Sequence, residues 1–377
     1  MTSPIHSQFI APMPYPSDVT SSDTMTLVRT HAAGDLLMLT ALLPALKQQY
    51  HRVELVVSEP FMTVLQGHPL LDAQYVVPHG KLGNPWRVHQ LHQKVNRVLA
   101  ENTPKAGRRK VCYLSYPSGL ESLGQLQATL LHQPWLPRTI KAWLTPHRHL
   151  LEHFAQQVHL TLPLETLAQS MCLPPFEVPA YWQEVPSAEG RASHPSARWE
   201  LSQVQHAVVI QTRASVRKKE WPLAYWQTWV NHFKAAYPHV AVLRIGSSGY
   251  HPPLEGVVDI ATPHFHEAFA LLSQCKLFIG LDSVFNHAMQ ALQKPSIMLY
   301  GATHPARFGY GSHVNVWHGE CLTHHLLHDA ATTPWHEASR GFRPPTPERT
   351  HLRQAGYHPA LLATSPECLM ALTHAMM

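Results

Sequence analysis

The chain has 377 residues, 45% of them apolar, so it carries ample core material, and at ~150 residues per domain its length predicts two domains. Charged residues make up only 14%, against roughly 25% in an average soluble protein, which excludes a self-repelling disordered chain. Lys+Arg 29 against Asp+Glu 24 leaves +5 without any long run of like charge; such mild basicity favours anionic partners and does not mark a nucleic-acid binder.

Residues 1–23 are rich in Pro and Ser, lack a basic start and an unbroken apolar block, and read as a disordered leader, not a secretory signal. Residues 36–46 form the longest apolar stretch, far short of the ~20 residues that span a bilayer. Five scattered cysteines without a C-x-x-C fit a reducing compartment, so a cytoplasmic location is expected. From Met25 the pattern becomes strand, turn, helix, strand. Residues 25–30 are β-prone, and His31 to Asp35 make a tight connection. Leu36, Leu39, Leu43 and Leu46 then recur at helical spacing to about Tyr50. Strands are predicted at 53–57, 74–77 and 111–114. Asn84-Pro85 opens a helix whose buried stripe is Val88, Leu91, Val95 and Val98. A further helix is read over 150–160.

Residues 183–203, rich in Pro, Ala, Ser and Glu, read as an interdomain linker. The alternation then restarts. Strands are predicted at 207–211, 240–245, 277–280 and 296–300, and helices at 222–237, 266–275, 284–292 and 366–376. Strands alternating with helices imply parallel sheets wrapped on both faces, here two Rossmann-like α/β domains facing a cleft. The division is a leader (1–23), a first domain (24–182), the linker (183–203), a second domain (204–350) and a tail with a closing helix (351–377).

Three segments carry candidate chemistry. Gly34-Asp35 follows the first strand and opens the first helix, where ligands of open parallel sheets bind; Asp35 is either a general base or a helix cap. The loop is not G-x-G-x-x-G, so no dinucleotide fingerprint is present. Residues 278–289 run from a strand through Asp282-Ser283 into a helix. Its first amides suit a phosphate, helped by Ser283 and His287, although any capped helix begins this way. Residues 212–222 bring Arg213, Arg217, Lys218 and Lys219 with Thr212 and Ser215 ahead of Trp221-Pro222; a solvated basic loop is the alternative. His324, His325 and His328, and His147, His149 and His153, have i, i+4 spacing that could grip a metal, but no H-E-x-x-H occurs and they read as surface histidines. Trp135, Trp143, Trp221, Trp226 and Trp229 read as core, with Trp135 and Trp143 alternatively meeting an anionic lipid-linked acceptor.

In this order the segments resemble glycosyltransferase family 9, the ADP-heptose:lipopolysaccharide heptosyltransferases, which have the GT-B fold. The resemblance runs through AAGDLLMLTALLPALKQQY, VELVVSEPF and HPLLDAQYVV, then Lys219-Glu220-Trp221-Pro222, then Asp282 to Met289, then Ser296 to Gly301 with ATHPARFGYG. It covers about residues 25–320. Val284 stands where the family carries Gly, and Met289 where it carries a small residue. The resemblance implies inverting transfer from a nucleotide-diphosphate sugar, such as ADP-heptose, to a lipid-linked or cell-surface glycan such as the lipopolysaccharide core. Asp35 would be the base, preceded by Gly34. Ser215, Lys219, Asp282, Ser283, Val284 and His287 would line the donor. No metal and no cofactor are implied beyond the sugar nucleotide, since Lys219 and a helix N-terminus can offset the departing diphosphate without Mg²⁺. Peripheral contact with the inner membrane fits such an acceptor. The alternative is a non-catalytic relic of the fold that binds a nucleotide sugar or glycan.

Overall fold

A computed structural model describes residues 23–30, 32–79, 85–103, 107–114, 149–184, 198–246, 252–322 and 355–377, with 85–88 described by backbone alone. The chain divides into two compact units, Met1–Pro175 and Phe176–Met377. The division falls ahead of the segment expected as the linker.

The first unit runs β1 (Thr24–Val28), α1 (Ala33–Leu39), α2 (Leu43–Gln49), β2 (Arg52–Ser58), β3 (Ala73–Val77), α3 (Pro85–Glu101), β4 (Arg109–Tyr113), α4 (Leu150–Gln157) and α5 (Leu164–Gln169). Its parallel sheet has the order β3-β2-β1-β4. The single helix expected over 36–50 is split by a 3₁₀ turn at Thr40–Leu42. Pro44 explains the break, because it cannot donate to the Thr40 carbonyl, which accepts instead from the Leu43 amide in the tighter 3₁₀ pattern. One sheet face carries Val28, Val56 and Val77, which pack with Leu91, Val95 and Leu99 of α3. Met25, Leu27, Val53, Leu55 and Val57 alternate with that set and are equally buried, as are Leu36, Leu39, Leu43 and Leu46. A strand buried on both faces cannot show polar alternation, which is why VELVV reads as a continuous apolar run.

The second unit runs β5 (Tyr181–Gln183), β6 (Arg198–Glu200), α6 (Leu201–Gln205), β7 (Val208–Ile210), α7 (Leu223–Ala236), β8 (Val242–Gly246), β9 (Val258–Ala261), α8 (Phe265–Gln274), β10 (Leu277–Leu281), α9 (Val284–Leu292), β11 (Ser296–Tyr300), α10 (Pro305–Phe308), β12 (Val314–Trp317), β13 (Glu320–Leu322), α11 (Pro359–Ala363) and α12 (Pro366–Met376). The large sheet has the order β13-β12-β11-β10-β7-β8-β9 and is parallel except for the β12–β13 hairpin. The expected linker begins at the end of β5 and contains β6, and the two strands pair antiparallel but are too short to give a periodic signal. Trp221, Trp226, Trp229 and Phe233 form an aromatic column in the core. Trp221 meets Trp226 edge-on at 4.9 Å, and Trp229 stacks on Phe233 at 5.1 Å. A buried indole N–H usually finds an acceptor, and two of these three do, Trp226 Nε1 being left without one. Trp221 Nε1 donates to the Leu361 and Thr364 carbonyls at 3.1 and 3.0 Å, and Trp229 Nε1 to the Thr373 hydroxyl at 3.3 Å. The terminal helices α11 and α12 are thereby part of the second unit's core. Trp135 and Trp143 lie outside the described residues.

Candidate functional site

Strand order reverses in the second unit between β7 and β10: β8 and β9 build outward from one, β11 and β12 from the other. The carboxyl ends of strands at such a switch point diverge and leave a crevice for ligands. The loop after β7 begins with the buried Gln211. Its Oε1 accepts from the Ser283 hydroxyl at 2.8 Å, and its Nε2 donates to the Arg213 carbonyl at 2.7 Å, joining the β7 and β10 loops. Glu220, also buried, accepts from the Ala214 amide at 3.2 Å and pairs with Arg213 Nε at 2.9 Å, folding the basic loop back on itself. A 3₁₀ turn at Arg217–Lys219 follows from this fold-back. Ser215 is exposed on the same loop.

Lys219 and Asp282 are brought together. Lys219 Nζ lies 2.7 Å from Asp282 Oδ2, with the carboxylate 4% and the lysine side chain 23% exposed. Thr303, after β11, donates its hydroxyl to the same carboxylate oxygen. Asp282 therefore gathers the loops following β7, β10 and β11 onto one buried anion. Ser283 caps α9, accepting from the Phe285 amide at 3.2 Å. A capped first turn still presents amides and a positive dipole end toward the crevice, and Val284, partly buried, is its first residue.

His287 lies one turn into α9. It is buried, its Nδ1 lies 2.7 Å from the Tyr310 hydroxyl, and burial lowers its pKa to about 4. Any contact it makes with a donor is that of a neutral imidazole. Asn286 donates to the Phe308 carbonyl at 2.7 Å and its Oδ1 lies 3.0 Å from His313 Nδ1, so the buried side of α9 is pinned to residues 308–313.

The first unit repeats the arrangement. Its strand order reverses between β1 and β4, and Asp35 lies just beyond β1. Asp35 is not a helix cap: α1 begins at Ala33, the cap position is Ala32 at φ +64°, and no side chain caps the turn. Asp35 is in the first turn, after the half-buried Gly34, and its buried carboxylate forms an ion pair with Arg29 Nη2. Arg29 Nη1 donates to the Leu114 carbonyl at 2.6 Å, and its guanidinium lies 5.5 Å from the Phe154 ring centroid.

Sequence reasoning missed Arg29, Gln211, Glu220, Thr303 and Tyr310, because the role of each shows only in a contact made once the chain folds. The expectation of surface histidines is corrected at His149 and His153. Both are buried, and His149 caps α4 by accepting from the Leu151 amide at 3.2 Å; the amphipathic helix turns this side inward with Leu150, Leu151 and Phe154. His147, His324, His325 and His328 lie outside the described residues. Among the described residues no three His, Cys, Asp or Glu side chains converge, and no helix is long and apolar enough to cross a membrane.

The sequence pattern of glycosyltransferase family 9 (heptosyltransferase) matches residues 256–325. A glycosyltransferase family 9 protein from Veillonella parvula is similar in structure, with a TM-score of 0.54 at 14% identity, covering 94% of this chain and 97% of that one. The ADP-heptose lps heptosyltransferase II of E. coli superposes with a TM-score of 0.52 at 15% identity, covering 94% and 98%. The family 9 match thus covers part of the second unit. No curated protein matches it by sequence. At these identities the solved structures establish the fold, two α/β units of the GT-B type. The family 9 match spans Asp282, Ser283, Val284, His287 and Thr303. Asp35 and Lys219 lie outside the match, so their placement rests on the switch-point geometry.

Proposed function

We propose that the chain is an inverting, metal-independent transferase moving a sugar from ADP-heptose, or a closely related nucleotide-diphosphate sugar, to a hydroxyl of a bacterial cell-surface glycan such as the lipopolysaccharide core. It works in the cytoplasm, in peripheral contact with the membrane that carries the acceptor. The observation that carries this reading is the convergence of Lys219, Asp282, Thr303 and the capped α9 terminus at the switch point of the second unit, with Asp282, Thr303 and α9 inside the family 9 match. Asp35 accepts the acceptor hydroxyl's proton as the oxygen bonds to the anomeric carbon. The bond from that carbon to the diphosphate breaks, and the nucleoside diphosphate leaves with the electron pair. Lys219 and the α9 amides offset the charge that develops on the leaving group. The name of the E. coli neighbour supports ADP-heptose as the donor.

The test is Asp35→Asn. The Asn carbonyl can still accept from Arg29, so the fold and ADP affinity should persist while transfer from ADP-heptose drops at least ~10²-fold, the usual contribution of a positioned base. Turnover at the parent rate would remove Asp35 as the base. A parent that binds ADP-heptose but transfers nothing to any glycan would establish the non-catalytic relic instead.

A further inference from the structure

We propose that Arg29 is the positioning residue for Asp35, an inference that rests on Asp35 acting as the base. Arg29 is the first residue beyond β1, and its side chain is 9% exposed. Its amide donates to the Val56 carbonyl at 3.0 Å, and the Leu114 amide donates to the Val28 carbonyl at 3.0 Å, so strands on either side fix its backbone. Its guanidinium is then held by two different groups, the Asp35 carboxylate and the Leu114 carbonyl, beside the Phe154 ring.

That division of labour is specific to a fork. A guanidinium is planar and pre-organised, so anchoring one amino group on the end of β4 sets the direction from which the other meets the carboxylate. Asp35 is buried in the first turn of α1, so its carboxylate orientation is set by protein groups such as this one and not by bulk water. With Oδ2 held by Nη2, the carboxylate plane is set and Oδ1 is fixed with it. A proton-accepting oxygen placed in this way forgoes the search among rotamers before each transfer, and misplacement of a reacting group by about 1 Å can cost ~10²-fold in rate. A lysine would supply the charge without the second anchor.

The experiment measures ADP release from ADP-heptose with heptose-deficient lipopolysaccharide as acceptor, using full-length parent, Arg29→Gln, Arg29→Lys, Asp35→Asn and the Arg29→Gln/Asp35→Asn pair, each checked by thermal melt. Arg29→Gln should lower kcat at least tenfold with the KM for ADP-heptose within twofold of the parent. Arg29→Lys should recover part of that loss. In the Asp35→Asn background, Arg29→Gln should change the rate less than twofold, because the residue it positions is already gone. Parent-like kcat in Arg29→Gln overturns the inference, as does an equal loss in both backgrounds. Should Arg29→Gln fail to fold, Arg29→Lys decides: a reduced kcat at unchanged KM supports positioning, and parent kcat overturns it. Full activity of Asp35→Asn instead defeats the base reading itself, and a parent inactive with this pair defeats the proposed transfer.

Discussion

Lys219→Ala separates a donor-binding lysine from a structural one. In the unliganded protein Lys219 offsets the buried Asp282 at 2.7 Å, with Thr303 as the carboxylate's other donor. Removing one partner of a fully buried pair costs about 3–5 kcal/mol. The lysine side chain is 23% exposed, so solvent screening reduces this to about 1–3 kcal/mol. For a unit of this size that is a fall in Tm of roughly 2–4 °C per kcal/mol. In the complex the variant also loses a charge-assisted contact to the diphosphate, about 1.5–3 kcal/mol, or roughly 10–150-fold in Kd. Calorimetry with ADP and with adenosine reads the two effects apart, because adenosine carries no phosphate and its affinity should be unchanged. Adding Asp282→Asn to Lys219→Ala should restore much of the stability and none of the ADP affinity. A folded Lys219→Ala protein that binds ADP within twofold of the parent refutes the assignment.

Burial lowers the pKa of His287 to about 4 and of His313 to about 3, so between pH 6.5 and 4 the unfolded chain binds more protons than the folded one and stability falls on acidification. Each histidine contributes a slope of about 1.4 kcal/mol per pH unit there; Tm should drop from pH 7 to pH 5, His313→Gln should make the drop shallower, and a flat profile in the parent would contradict the burial argument. Gly301→Ala would place a Cβ 2.6 Å from both the Lys218 carbonyl oxygen and Leu361 Cδ1, so it should cost about 1–3 kcal/mol and weaken ADP binding by displacing the lysine loop. Unchanged melting and ADP affinity in that variant would show that the loop gives way freely.

The two-unit α/β architecture was legible because its signals are local. The stripe Leu91, Val95 and Val98 on α3, the start of α9 at Val284 and the strand Ser296–Tyr300 all lie within single periodic runs. The hairpin β5–β6 and the edge pair β12–β13 were not legible, since strands of three or four residues are too short to establish a period. The same distinction divides the site. Asp35 and Asp282 stand out at strand-to-helix turns, whereas Arg29, Gln211 and Thr303 are meaningful only through partners 6, 72 and 21 positions away. Asp35 also shows how a local rule misleads. An Asp opening a helix suggests a cap, yet the turn starts at Ala33, and the carboxylate is held by an arginine upstream.

Burial of charge does not by itself mark the sites. Glu54, mid-strand in β2, is as deeply buried as Asp35, but it is surrounded by Thr26, Tyr75, Arg52 and Arg109 and so has its acceptor capacity spread over four donors. Arg244 and Asp259 are likewise paired within strands, across β8 and the edge strand β9. Such pairs add little net stability over apolar residues of the same size. Arg29–Asp35 and Lys219–Asp282 differ in place. Each lies beyond the carboxyl ends of its strands, at the point where its own sheet reverses order, and each joins loops that arrive from different strands or helices. A buried ion pair there is costly to maintain and gains little for the fold, which is the physical reason for reading each pair as part of a functional site in its own unit.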